Sequence, residues 1–227
     1  MKRISLWLLL SAFTAIAGML GGCTKNGSTA PDQIIGSGRI VSQQLSMASF
    51  SGIQVTGTAK VFVRQDTVQS LRLEADDNII GRITTSVNNG VLVVGLEQGS
   101  YNNVTINVYA SMTSVTRLET IGAAEFISVR PITTDNILCS ITGAGKITLS
   151  GTATGQTVQI SGAGDIRNSA LVSSYSSVLI SGTGSVEVNV TRQLDAIVSG
   201  AGSIVYSGNP QIVNKTVTGI GSIRPGS

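Results

Sequence analysis

The chain has 227 residues, with 15 basic and 12 acidic side chains and no histidine. The lack of histidine excludes Ser-His-Asp and Cys-His nucleophile systems and every His-ligated metal site. Charged residues make up 12% and aromatics 4%, against 27 glycines; with abundant Ser, Thr, Val and Ile, this predicts strands joined by tight turns.

Lys2 and Arg3 precede an apolar run from Ile4 to Leu20, interrupted by Ser5, Ser11 and Thr14. The run is shorter than the roughly 20 apolar residues a spanning helix needs, and its basic front end and small-residue close describe a secretory signal peptide over residues 1–22. It ends in Leu20-Gly21-Gly22-Cys23, which resembles the bacterial lipobox. That resemblance implies cleavage before Cys23, diacylation of its thiol and acylation of the freed amino group, with palmitate-class chains. More than one chain anchors stably, because each buried methylene contributes about 0.8 kcal/mol. Removal of the leader also removes Trp7, the one tryptophan, and leaves 13 basic against 12 acidic residues. So even a balance lacks the electrostatic footprint of a nucleic-acid partner.

Residues 23–37 carry Lys25, Asn26, Gly27, Ser28, Pro31 and the pair Gly36-Ser37, which reads as a lipidated flexible tether before a domain over 38–227. Thr24 is not the Asp of the enterobacterial inner-membrane retention rule, which favours the outer membrane. No acidic cluster follows Cys23, so a surface-exposed and a periplasm-facing position both stay open.

The first half of the domain is β-like. Phe50 to Arg64 alternates, as does Ser70 to Glu74; Thr84–Val87 and Val91–Leu96 flank Asn88-Asn89-Gly90, a hairpin-turn signal, and Thr105 to Tyr109 is a further short strand. These segments read as irregular coils that grade into regular ones and cap one end, with a separate N-terminal sandwich as the alternative. Asp66-Thr67-Val68 resembles an O-glycosylation motif of some envelope-rich bacteria. Asp76-Asp77-Asn78 reads as a solvated turn rather than a cation site.

The second half repeats. Ile141-Thr-Gly-Ala-Gly-Lys-Ile147, Ile160-Ser-Gly-Ala-Gly-Asp-Ile166, Ile180-Ser-Gly-Thr-Gly-Ser-Val186, Val198-Ser-Gly-Ala-Gly-Ser-Ile204 and Val217-Thr-Gly-Ile-Gly-Ser-Ile223 place their first glycines at 143, 162, 182, 200 and 219. Degenerate copies stand at Thr120–Phe126 and Val55–Val61. A period near 19 without helix-period patterning predicts a parallel β-solenoid, each coil advancing about 4.8 Å. Glycine then serves corners that turn with positive φ or crowd the neighbouring coil. Two apolar columns follow, one through Ile141, Ile160, Ile180, Val198 and Val217, the other through Ile147, Ile166, Val186, Ile204 and Ile223. A third runs through Cys139, Val158, Val178, Ala196 and Lys215, which makes Cys139 a core thiol and puts Lys215 at an open end. The position after each second glycine reads Glu125, Lys146, Asp165, Ser185, Ser203 and Ser222, so Glu125, Lys146 and Asp165 form a surface ladder of alternating sign.

The ordered set Phe50-Ser-Gly-Ile-Gln-Val-Thr-Gly-Thr-Ala-Lys-Val-Phe-Val, Leu71-Arg-Leu-Glu-Ala-Asp, Val91-Leu-Val-Val, Val104-Thr-Ile-Asn-Val-Tyr and the Ser-Gly-x-Gly repeats resembles the putative auto-transporter adhesin head GIN domain family, over about Gly38 to Ile223. The resemblance implies a right-handed parallel β-helix and a surface or envelope role, with no family catalytic residues to carry over. Ala59 and Ala124 depart from it, standing where the second glycine would be.

No dinucleotide fingerprint, phosphate loop or calcium nonapeptide is present, so no catalytic residue, metal ligand or cofactor is assigned. The reading is a non-catalytic lipid-anchored envelope protein, an adhesin head or surface scaffold. It meets the membrane through Cys23 and a cell-surface or host glycan or protein ligand through its head. The alternative is a polysaccharide-binding or polysaccharide-cleaving β-helix, with Arg130, Lys146 and Arg167 as a sparse basic stripe and Tyr101, Tyr109, Tyr175 and Tyr206 as sugar-stacking candidates.

Overall fold

The computed structural model describes residues 33–226. The leader, the lipobox and Cys23 lie outside the described residues. The rest is almost entirely β, with one short 3-10 turn at Ile80–Arg82.

From Arg117 onward the chain winds in register-matched parallel coils. Ile141 pairs with Ile160, Ile160 with Ile180, Ile180 with Val198 and Val198 with Val217. The second column pairs Phe126, Ile147, Ile166, Val186, Ile204 and Ile223 in the same way. All but the last member of each are fully buried, and stacked β-branched side chains fill so narrow a core. The domain is therefore a parallel β-solenoid.

The two degenerate copies join the same stack. Val55 pairs with Thr120 and Thr120 with Ile141, while Val61 pairs with Phe126. Stack order then leaves chain order. Gly52–Thr56 and Thr58–Gln65 lie between the coil formed by Arg117–Thr120 and Ala123–Ser128 and a coil formed later, by Val91–Leu96 and Ile106–Met112. The chain needs residues 66–90 to travel round and re-enter beneath its own first coil. That detour includes the predicted hairpin: of Asn88-Asn89-Gly90, Asn88 closes the strand Ile83–Asn88, and Asn89 and Gly90, with φ of 50° and 75°, turn the chain into the antiparallel strand Val91–Leu96.

The end beneath the first coils is closed by antiparallel strands. Ser70–Asp76 runs against Ile106–Met112, and Ile40–Leu45 against Ser70–Asp76. The first half thus belongs to the solenoid's own sheet and is no separate sandwich. Gln33–Ile35, inside the stretch whose composition suggests a tether, is a strand paired with Ser100–Asn102.

Asp77 and Asn78 form a turn with Asn78 exposed, as expected, but Asp76 ends its strand out of solvent. Asp76 is buried and accepts the backbone N–H of Gly38 and of Thr105, each at 2.7 Å. Asp77 accepts the Ser37 hydroxyl and Arg39 Nε, and Asn78 donates to the Ile35 carbonyl at 2.8 Å. Together they clamp the entering chain onto the antiparallel end.

Candidate functional site

The outward face of the Gly-x-Gly strands carries the charged column. Alternation puts the residue after the second glycine outside, and parallel register brings Asn107, Lys60, Glu125, Lys146, Asp165, Ser185, Ser203 and Ser222 into one line. Lys60 Nζ lies 3.3 Å from one Glu125 oxygen and Lys146 Nζ 3.8 Å from the other. Lys146 reaches back to Glu125; Asp165 is taken up by the Ser185 hydroxyl at 2.6 Å and by Arg167 at 3.8 Å. The side chains are between a third and a half exposed, so each pair contributes at most about 1 kcal/mol, and a ligand's charge can compete for them. Lys60 and Asn107 were not part of the predicted ladder. Lys60 was readable from the degenerate copy Val55–Val61; Asn107 had no repeat to point to it.

Beside the ladder runs an open groove of about 580 Å³. Its floor is small residues, Thr58, Ala123 and Ala144; Lys60, Glu125 and Lys146 form one wall, and Val104–Asn107 close one end. These three stand at the middle position of the Gly-x-Gly repeat, which carries Thr or Ala in these coils and so keeps the floor low. A second depression of about 590 Å³ lies on another face, between Thr116, Asp135 and Gln159, without a charged ladder along it.

The basic stripe does not form. Lys146 and Arg167 occupy different columns, since Lys146 pairs with Asp165 and Arg167 with Thr148, and Arg130 sits in a bend outside the strands. The tyrosines are mostly engaged. Tyr109 has Phe62 stacked at 4.8 Å and the Arg72 guanidinium at 4.1 Å over its ring. Tyr206 carries Lys215 at 4.6 Å, and Tyr101 donates to the Glu97 carbonyl at 2.8 Å. Tyr175 alone among them stands 45% exposed.

Cys139 is fully buried in the third column, between Leu118 and Val158. Burial pushes its thiol up to about 12, which the Asn168 amide only partly offsets, so the nucleophilic thiolate is absent at neutral pH. Among the described residues, no group of three or more Cys, Asp and Glu side chains converges to hold a metal ion.

Three solved structures share this architecture. A "putative adhesin" from Bacteroides fragilis is 22% identical, with a TM-score of 0.68 over 85% of this chain and 99% of its own. A "putative lipid binding protein" from Parabacteroides distasonis is 21% identical, with a TM-score of 0.53 over 86% of this chain and 100% of its own. A "putative adhesin" from Parabacteroides merdae is 20% identical, with a TM-score of 0.51 over the same 86% and 100%. At such identities the likeness concerns the fold. A comparison with curated protein sequences gave no match. The family model described as "Putative auto-transporter adhesin, head GIN domain" matches residues 49–210, which take in the first coil, the out-of-order coil and the repeats through Ser207. The chain belongs to that family.

Proposed function

We propose that the protein is a non-catalytic, lipid-anchored envelope protein, an adhesin head or surface scaffold held at the outer membrane through acyl chains on Cys23. The groove beside Lys60, Glu125 and Lys146 is its recognition surface for a cell-surface or host ligand. The observation that carries this reading is where the chain enters the fold. Gln33–Arg39 is bonded onto the antiparallel end of the stack, opposite the last coil, so a tether pulls on one end of a stiff rod and leaves its flank free. The family and the adhesin descriptions of two structural relatives support the same reading. Among the described residues no helix is long and apolar enough to cross a membrane.

Antibody labelling of intact against permeabilised cells tests it. The expected result is labelling without permeabilisation, with Cys23→Ala removing both the acyl label and the membrane association. Labelling confined to permeabilised cells ends the adhesin reading and leaves a periplasmic scaffold.

A further inference from the structure

Asp66-Thr67-Val68 takes no part in the core, the ladder or the groove, yet the fold presents it with care. It forms the bend between Thr58–Gln65 and Ser70–Asp76. Gln65 fixes one side, accepting the Thr133 N–H at 2.7 Å and donating to the Thr133 carbonyl at 2.9 Å. Gln69 fixes the other, accepting the Phe50 N–H at 3.0 Å and donating to the Ala48 carbonyl at 3.0 Å. Between these two anchored amides Asp66 stays half-buried, its N–H bonded to the Met112 carbonyl at 3.0 Å, while Thr67 and Val68 project to solvent. Asp66 accepts the Thr67 N–H at 2.8 Å and pairs with Arg64, which holds its carboxylate in place. Thr67 is exposed and Val68 is 70% exposed, so packing dictates neither side chain. Of the chain's aspartates, Asp66 alone is followed by a hydroxyl residue.

We propose that Thr67 is an acceptor for O-linked glycosylation. A transferase needs a reachable hydroxyl in a short protruding bend, with distinct groups on either side to read; here these are an oriented carboxylate and an exposed aliphatic chain. Thr67 Oγ1 attacks the anomeric carbon of a glycosyl diphosphate donor. The new glycosidic C–O bond forms as the bond from that carbon to the diphosphate oxygen breaks, its electron pair leaves on the diphosphate, and the hydroxyl proton passes to a base of the transferase. The site lies at the far end of its strand from Lys60, roughly 20 Å away at about 3.3 Å per residue, so a glycan there leaves the groove open. The proposal rests on export into the envelope, as read above.

The test uses the full chain recovered from the envelope fraction of its own bacterium. Trypsin releases Gln65–Arg72, which contains Thr67 and Ser70. The expected result is a mass increment of at least one sugar on that peptide, removable by β-elimination, lost in Thr67→Ala and retained in Thr67→Ser. An unmodified peptide from envelope-located protein overturns the proposal and leaves the export reading standing. An increment that persists in Thr67→Ala places the sugar on Ser70 and also overturns it. A chain missing from the envelope fraction overturns export, and the proposal falls with it.

Discussion

At Gly162 the missing side chain is itself the structural feature. A Cβ there would meet the Gly143 carbonyl oxygen at 2.1 Å, and the same contact recurs at 2.2 Å for Gly143 on Gly122 and at 2.0 Å for both Gly182 on Gly162 and Gly200 on Gly182. At these corners crowding by the adjacent coil is the operative reason for glycine, whereas Gly57 has φ of 151° and nothing within 4 Å of its Cβ. Gly162→Ala is expected to cost about 3 kcal/mol in denaturant unfolding, because rigid backbone cannot yield. Gly81→Ala, with nothing within 4 Å of its Cβ and no positive φ, is expected to lie within about 0.5 kcal/mol of the parent. Ala59 and Ala124 keep register because their methyls point into the core, where both are buried. In later coils that space is taken: a Cβ on Gly164 would meet Ile141 Cγ2 at 2.9 Å. In the coil before Ala124 that column carries the smaller Val55, whereas a Cβ on Gly145 would meet the Thr120 methyl at 2.6 Å. Thr120 is fully buried and its hydroxyl has no hydrogen-bond partner. Thr120→Val, nearly the same shape, is therefore expected to stabilise by about 1 kcal/mol, read as a higher denaturation midpoint with an unchanged m-value.

Between elements, the small drift in repeat spacing has a physical seat. The coil from Ile160 to Ile180 carries three extra residues between Asn168 and Val172 relative to its successor, and one fewer between Ser173 and Tyr175. The surplus is absorbed at one bulged corner, so the Gly-x-Gly corners remain aligned. Asn168 donates there to Gln156, Gln156 to Ser173, and Ser173 shares a 2.9 Å hydrogen bond with Ser176, all four buried. No repeat alignment would have found this network, because these residues fall where the pattern lapses. The entry clamp was hidden for a different reason: its partners Ser37 and Asp77 are 40 residues apart. The Ser37 hydroxyl and then Arg39 hold the Asp77 carboxyl below the ordinary carboxylate range. A depressed carboxylate contributes stability above the ordinary aspartate pKa of about 4, and that contribution is lost as pH falls through the lower folded value. The Ser37 and Arg39 amide resonances are accordingly expected to hold their positions from neutral pH down to about 4 and to shift only below it. Asp77→Asn is expected to shift them at neutral pH, with core resonances unmoved.

For the whole molecule, a solenoid's weak point is its last coil. Ile212–Val217 and Ser222–Pro225 have partners on one side alone, and Ile212, Val217 and Ile220 are 51%, 44% and 87% exposed. Such an edge invites another strand. Lys215 stands where Ala196 and Val178 fill the third column below it, and its ammonium reaches the Ile223 carbonyl at 3.4 Å while lying over Tyr206. A strand added here would have to bury that charge. Lys215→Val is expected to convert a monomer into end-to-end dimers or longer species, seen as concentration-dependent light scattering, while the parent stays unchanged over the same range.

The repeat alone determined the parallel coils, the buried columns and the glycine corners, because a period near 19 with β-branched residues at fixed places has few other ways to bury its apolar face. The Asn89-Gly90 turn was local and equally readable. The tertiary structure alone decided that the first coil lies between two later ones, that Asp76 and Asp77 clamp the entering chain, and that Asn107 joins the ladder beside the groove. Each of these joins residues far apart in the chain through pairings that no local pattern encodes. Their partners are set by which strand edges remain free once the regular coils have stacked.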